Sequence, residues 1–468
     1  MYKRYKSIHF VGIGGIGMSG IAQVLQNLGY RVTGSDVRAS EMTERLSAMG
    51  IGIAIGHDPA NIGDAQVVVI SSAIGSENPE AMEAIRQGVP VIPRAEMLAE
   101  LGRLKYGVLI AGSHGKTTTT SLIATVLAKT GLDPTVVIGG RLNALGSNAR
   151  LGQGEFLVAE ADESDGSFLK LSPTIAVATN IDREHMEFFK SMHALKGAFL
   201  EFLNKAPFYG LSVVCIEDSR LRELLPDIKR RTLTYGFSKD AGLRAANIEK
   251  GPMSVEYDAF LKDKKLFRVK LPIPGDHNVL NSLAAIGVGL ELDVAPDAIR
   301  EGLQAFQGIG RRLELKGRPA GVSVYDDYGH HPTEVRATIK SLREGIGSSR
   351  LFVVFQPHRF TRTRDLMRDF AVSFVDADQL LLMDIYAAGE RPLEGITSEA
   401  LFGLIKQEIG DKGRYVGQAD RAMEYLIENI KAGDVVLSLG AGDVWKVSEG
   451  LVKRLSTKSK NVHEDRAN

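Results

Sequence analysis

Residues 107–120 read Gly-Val-Leu-Ile-Ala-Gly-Ser-His-Gly-Lys-Thr-Thr-Thr-Thr, and the reading of the whole chain turns on them. Val108, Leu109 and Ile110 form a short apolar run suited to a buried strand. Gly112-Ser113-His114-Gly115 follows as a turn with little side-chain bulk. Lys116 and Thr117 then open a segment whose apolar residues, Leu122, Ile123, Val126 and Leu127, recur at helical spacing. Strand, glycine loop, Lys-Thr and helix is the layout of a phosphate-binding loop. Backbone N–H groups and the positive helix end face the anion, the lysine reaches the terminal phosphates, and the first threonine is placed to ligate Mg²⁺. The longer form of the pattern has a glycine six residues before the lysine, where Ile110 stands here. Lysine at this place neutralises charge on a phosphate in motion, so the loop predicts phosphoryl chemistry rather than passive binding.

A second glycine pattern precedes it. Ile8-His9-Phe10-Val11 reads as a strand, Gly12-Ile13-Gly14-Gly15-Ile16-Gly17 as a loop, Met18 to Leu28 as an amphipathic helix, and Tyr30 to Thr33 as a strand ending in Ser35-Asp36. This is the dinucleotide-binding layout, with an acid about 20 residues beyond the glycines. It predicts a diphosphate cradle, with Asp36 on a ribose hydroxyl or a base edge. The loop carries no lysine, so it should hold a diphosphate without transferring it. Two cradles of different chemistry imply two nucleotides. Val67 to Ile70 is a further strand, and Ser71 and Ser72 at its end are either ligand contacts or caps of the next turn. Arg94, after Val91-Ile92-Pro93, is either an anion contact or a solvated surface charge.

Beyond the central loop, the strand at 155–159 runs into Glu160-Ala161-Asp162-Glu163-Ser164-Asp165. Carboxylates at a strand end beside a phosphate loop are where a Mg²⁺ ligand is expected, the alternative being a solvated acidic turn. Thr174 to Thr179 leads to His185, read as a metal or phosphate contact or as a structural histidine. Asn278 and Asn281 share a helical face and either read an adenine edge or cap the helix. Gly308-Ile309-Gly310-Arg311-Arg312 reads as a hinge. In the last third, Val322 to Tyr325 ends in Asp326-Asp327-Tyr328-Gly329-His330-His331, with no partner cluster at zinc spacing. Leu351 to Phe355 ends in Gln356-Pro357-His358-Arg359, and Arg359 with Arg362 could clamp a carboxylate or phosphate. Leu380 to Met383 and Asp434 to Leu439 are two more strands, and the tail from Ser456 is expected to fray.

Length supports the same division, since 468 residues at about 150 per domain give roughly three domains. The expected class is α/β: a Rossmann-like domain over residues 1–104, a central P-loop ATPase-like domain over 105–312 and a second Rossmann-like domain over 313–468. Acidic and basic residues number 57 each, which excludes a nucleic-acid binder driven by phosphate neutralisation. Cys215 is the single cysteine, so an internal disulfide is excluded and a reducing compartment is favoured. The basic N-terminus is followed by a glycine-broken stretch rather than an export signal. No apolar run approaches the ~18 residues of a membrane span. These features together read as a cytoplasmic protein.

With these stretches in place the chain resembles the ATP-dependent Mur ligases of peptidoglycan synthesis, in particular the branch that adds L-alanine to UDP-N-acetylmuramate. The residues that carry the resemblance are His9 to Gly15, Gly112 to Thr120, Glu160 to Ser167, His277 to Asn281, Asp326 to Pro332 and Gln356 to Thr363. Family members usually have threonine where Ser113 stands, and serine keeps the hydroxyl. The resemblance implies that the first domain holds the UDP-sugar, the middle one ATP, and the last one closes over both. Gly12, Gly14, Gly15, Ile16, Gly17, Asp36, Ser71 and Ser72 would then hold the sugar nucleotide. Gly112, Ser113, His114, Gly115, Lys116, Thr117 and Thr118 would wrap the ATP phosphates, with Asn278 and Asn281 on adenine, Asp327 on the ribose and Arg311 also on ATP. Thr117, Glu160 and His185 would ligate Mg²⁺, making Lys116, Glu160 and His185 the catalytic set. His330, His358, Arg359 and Arg362 would line the amino-acid side.

The implied reaction is amide-bond formation through an acyl phosphate, part of cell-wall synthesis, with ATP and Mg²⁺ as cofactors and a monomer–dimer equilibrium admitted. The competing readings are a ligase that attaches a recycled tripeptide to the same sugar nucleotide, an NAD-dependent oxidoreductase, and a nucleotide-regulated binding protein. In the oxidoreductase reading the Lys116 loop has no task. In the binding-protein reading the cluster from Asp326 to His331 has none.

Overall fold

The computed structural model describes residues 5–464 apart from Ser72, Ser76, Leu104 and residues 143–146. Short apolar strands alternate with longer helical segments, and three separate sheets result. The first is parallel, in the order Gly52–Ile55, Arg31–Asp36, Ser7–Val11, Val67–Ile70, Val91–Pro93. Every residue of the central strand Ser7–Val11 is buried, as a strand covered on both faces must be. The strand order reverses between Ser7–Val11 and Val67–Ile70, so the switch point opens beside Gly12.

The second sheet has ten strands. Parallel strands Leu211–Cys215, Ile175–Ala178, Tyr106–Ala111, Phe156–Glu160 and Thr135–Leu142 lie side by side. Ser147–Arg150 edges one side, antiparallel to Thr135–Leu142. On the other side follow Thr232–Gly236, Leu243–Gly251, Ser254–Leu261 and Lys264–Leu271. Sequence reading passed over these last three. Their buried apolar residues fall at every second position (Leu243 and Ala245; Val255, Tyr257 and Ala259; Phe267, Val269 and Leu271), the period of a half-covered sheet.

The third sheet runs Glu314–Gly317, Ser323–Asp327, Val435–Leu439, Leu351–Phe355, Gln379–Met383, Gly413–Gly417, parallel except at its first strand. Leu351, Val353 and Phe355 join one buried cluster, and Phe352 and Val354 join another. Ile339, Phe370 and Ile405 cover the first face; Leu426 and Leu451 cover the second. This is a doubly wound α/β layer. Its final helix, Trp445–Glu464, continues past Ser456, where fraying was expected. The last residues of that helix contain neither glycine nor proline, so nothing in their composition stops it.

Contacts group the chain into two compact units. One takes the residues up to 248 together with 256–271 and 277–307; the other takes 249–255, 272–276 and everything from Gly308. The unit boundary at Gln307/Gly308 coincides with the glycine pair read as a hinge, and Gly308 has φ +78°. Among the described residues no helix is long and apolar enough to cross a membrane.

Candidate active site

The strand Tyr106–Ala111 delivers the central loop, and the helix Lys116–Lys129 begins directly after Gly115. Gly115 sits at φ +82°, and a Cβ there would lie 2.6 Å from Asn281 Oδ1, so only glycine suits the position. The neighbouring strand end shapes the loop. Asn180 takes the Ser113 N–H on its carbonyl and the His114 N–H on its side chain, at 3.1 and 2.8 Å. Thr179 donates to the His114 carbonyl at 2.6 Å, and the His114 ring meets Asp182 at 3.0 Å.

Lys116 Nζ donates to Gly112 O at 2.5 Å and to both oxygens of Glu163 at 2.9 Å. Burial works against its ammonium, but the carboxylates of Glu163, Asp162 and Glu184 outweigh it and hold the lysine above its ordinary value. The cation is therefore secured before any phosphate arrives. Thr117 is buried beside it at the first turn of the helix.

Glu163 was not singled out from the acidic run in the sequence, and neither was Glu184. The structure gathers both around His185: ligand atoms of Glu163, Glu184 and His185 all lie within 4.8 Å of one another. Of the expected Mg²⁺ set of Thr117, Glu160 and His185, His185 thus stands with Glu163 and Glu184. Glu160 ends its own strand, in register with Ile110. His185 itself sits in a left-handed conformation at φ +56°. Two carboxylates and an imidazole form a donor set that fits a hard divalent cation.

Three residues expected on ATP also bond the chain itself. Asn281 is buried, accepts from Thr119 Oγ1 at 3.1 Å and donates to Asn278 at 3.3 Å, so its amide braces the loop helix. Asp327 is buried, with its carboxylate taking the Gly329 and Leu313 N–H groups at 2.7 Å each. Burial pushes its carboxyl up to about 6. Arg311 likewise bonds Asp326 at 2.9 Å and Gly440 O at 2.7 Å. In the second unit, Arg311 and Asp327 therefore fasten residues 311–313 to strand ends, which a sequence scan for ligand contacts cannot distinguish from binding.

The first glycine loop is built differently. Gly12 and Ile13 donate N–H bonds to Ser35 O at 2.9 and 3.0 Å, and Gly14 N–H bonds Asp36 Oδ2 at 2.9 Å. Asp36, expected on a ribose or base, thus spends one oxygen on the loop itself. The helix Ile16–Asn27 follows with no side-chain cap and no acid in its first turn, leaving its positive end open. Ser71 stands beside Gly12, and Ser72 lies outside the described residues. Behind the strand end, fully buried Glu80 accepts from Ser35 Oγ and Asn61 Nδ2, with His9 and His57 at 3.6 and 3.4 Å. Burial works to raise the Glu80 carboxyl, yet His9, Ser35 and Asn61 hold it at about 2. No motif pointed to Glu80, which follows an Asn-Pro pair like any helix-start residue.

The amino-acid-side residues do converge. His330 and His358 rings lie 5.6 Å apart, Arg362 Nη1 is 3.3 Å from His358 Nδ1, and Tyr386 stacks on His358 at 5.6 Å and 8°. Burial, with His330, Arg362 and Arg359 nearby, lowers His358 to about 3, so its ring is neutral. Arg359 starts the helix Phe360–Ala371 at φ +70° and bonds Tyr386 O through its N–H at 2.9 Å. Tyr386 was missed because nothing in Asp384-Ile385-Tyr386 distinguishes it. His331 is a helix cap, as Thr333 donates to its ring at 3.3 Å.

Comparison with known proteins adds an independent line. The family model for the Mur ligase catalytic domain matches residues 7–106, that for the Mur ligase middle domain 110–289, and that for the Mur ligase glutamate ligase domain 311–442. The chain is 54% identical over 455 residues to the UDP-N-acetylmuramate–L-alanine ligase of Geobacter sp. (strain M21), covering 97% of this chain and 99% of that one. It is 54% identical over 462 residues to the protein of the same name from Solibacter usitatus, covering 98% of each. Among solved structures, the UDP-N-acetylmuramate–alanine ligase of Thermotoga maritima superposes with a TM-score of 0.84 at 29% identity, over 97% of this chain and 99% of that one.

Proposed function

The chain belongs to the Mur ligase family and joins L-alanine to UDP-N-acetylmuramate at the expense of ATP, and we propose that its three sheets divide the work. Residues 1–104 hold the sugar nucleotide with its diphosphate on Gly12 to Gly17. Residues 105–312 hold ATP on Gly112 to Thr118, and residues 313–468 present the amino acid at His330, His358, Arg359 and Arg362. The observation that carries this reading is the pair of unlike glycine loops, one built around a secured lysine and the other without any.

The lactyl carboxylate attacks the γ-phosphorus of ATP, ADP leaves, and an acyl phosphate forms. Lys116 lies where charge gathers on the transferring group and neutralises it. The amine of L-alanine then attacks the acyl carbon, an amide forms, and inorganic phosphate departs. The amine must lose its proton before this attack. Glu163, Glu184 and His185 would hold Mg²⁺, which supplies further neutralisation of phosphate charge when bound. A cytoplasmic setting fits this reading, since ATP is supplied there and the one cysteine is free.

Phosphate release from ATP and Mg²⁺ tests the reading. It should require UDP-N-acetylmuramate and L-alanine together. Release with a tripeptide but not with L-alanine would make the chain the recycling ligase instead. Binding of NAD without any release would restore the oxidoreductase.

A further inference from the structure

Arg94 is the first residue of the helix Arg94–Gly102, at the end of the edge strand Val91–Pro93. Its guanidinium lies over the start of a second helix, Ile16–Asn27: a Cβ on Gly17 would stand 2.7 Å from Nη1 and 3.3 Å from Cζ. Glycine at position 17 thus makes room for this side chain. A cation at helix N-termini is disfavoured by the helix dipole. Neither of the two helices offers a side-chain cap, and Ile16–Asn27 has no acid in its first turn. The one anion against Arg94 is Asp162, whose Oδ2 lies 3.2 Å from Nη2. Among the described residues the other N–H groups of the fork have no acceptor.

Asp162 belongs to the acidic strand end that also supplies Glu163 to Lys116. Although its surroundings work against ionisation, Lys116 and Arg94 hold its carboxyl below the ordinary value. Arg94 bonds Asp162 while Lys116 bonds its neighbour Glu163, so the two cations stand on adjacent carboxylates. An exposed ion pair alone would contribute little. The arrangement is explained if a second anion completes it, and an arginine fork matches a diphosphate better than any other side chain does.

We propose that Arg94 is a substrate residue shared by the two nucleotide sites: its guanidinium takes the diphosphate of UDP-N-acetylmuramate above Gly17, and its bond to Asp162 positions it for this. The proposal rests on the first loop being the sugar-nucleotide cradle. Asp162 is the positioning residue, acting on substrate through Arg94.

The test is calorimetric binding of UDP-N-acetylmuramate, UDP and uridine to the full-length protein and its variants, with ATP affinity measured alongside. Arg94→Ala should weaken the sugar nucleotide and UDP alike by about 10- to 100-fold, leave uridine unchanged and leave ATP within about twofold. Arg94→Lys should restore part of the loss, because it returns the charge without the fork. Asp162→Asn should weaken the sugar nucleotide several-fold in the wild type and not at all in Arg94→Ala, since a positioning effect disappears with the residue positioned. Gly14→Val, whose side chain would press on Asp36, is the control for the cradle itself. If Gly14→Val leaves sugar affinity intact, the cradle reading falls. If Gly14→Val abolishes binding while Arg94→Ala does not weaken it, or weakens ATP and uridine equally, the role of Arg94 falls and the cradle stands.

Discussion

Each glycine loop has one buried glutamate behind it, and the two are used in opposite ways. Glu80, behind the first loop, is fully buried and bonded to a hydroxyl and an amide, with two imidazoles beside it. It fixes Ser35, whose carbonyl holds Gly12 and Ile13. Glu163, behind the central loop, is as deeply buried but grips the lysine itself. Holding an anion needs rigid N–H donors and an open helix end. Transferring a phosphate needs a cation that is charged, placed and able to exchange its partner. The same residue type therefore builds a frame at one loop and tunes a reacting group at the other.

That contrast breaks most readily at Lys116. Lys116→Ala should lower kcat by about 10³-fold, the scale for removing one donor from a developing charge, while UDP-N-acetylmuramate binds within twofold of the wild type. Equal losses in catalysis and sugar binding would mean that the two loops are not separate in function. Gly14→Val should do the reverse, weakening the sugar nucleotide by about 10²-fold with ATP affinity kept, through loss of the close backbone approach that the loop provides. Next comes Glu163→Gln, for which kcat should fall about tenfold at neutral pH. Carboxylate charge keeps Lys116 above its ordinary value, so its removal should bring the alkaline limb of the rate profile to lower pH. An unmoved limb would show that Glu163 only packs.

How much of this was legible in sequence follows from what each feature depends on. Both glycine loops were readable because strand, turn and helix are contiguous there, and spacing alone orders them. The unbroken apolar run Leu351 to Phe355 likewise announced a central strand. Leu243 to Leu271 was missed although its burial alternates, because polar and charged residues on the open face dilute the apolar signal. Glu80, Glu163 and Tyr386 take their meaning from partners 45, 47 and 28 positions away (Ser35, Lys116 and His358), and no local pattern encodes such a pairing. Arg311 and Asp327 show the opposite case. Polar residues crowded at strand ends suggest ligands, but here several of them bond the chain itself. His185 was marked as a metal candidate, and the structure sets beside it Glu163, an acid 22 positions away that no local pattern ties to the ring.

The smallest effect on activity should come from Glu80, and it sharpens the comparison most because it separates frame from chemistry. Its folded carboxyl lies at about 2, below the ordinary 4.5. A depressed acid contributes stability that is present above the unfolded value and lost as pH falls through the folded one. The window for Glu80 is therefore pH 4.5 down to about 2, and the contribution, at 1.36 kcal/mol per unit, is about 3 kcal/mol at neutral pH. Glu80→Gln replaces one acceptor by an amide that must face the Ser35 hydroxyl and the Asn61 amide, so it should destabilise the protein by a similar amount at pH 7 and by much less near pH 2.5. Denaturant unfolding at both pH values measures the gap. Sugar affinity should fall only a few-fold, through a looser Ser35 carbonyl, and kcat at saturating substrates should stay unchanged. A gap that is the same at both pH values would show that shape, not charge, is what Glu80 supplies. A fall in kcat would place it in the chemistry with Glu163, and the distinction between the two glutamates would be lost.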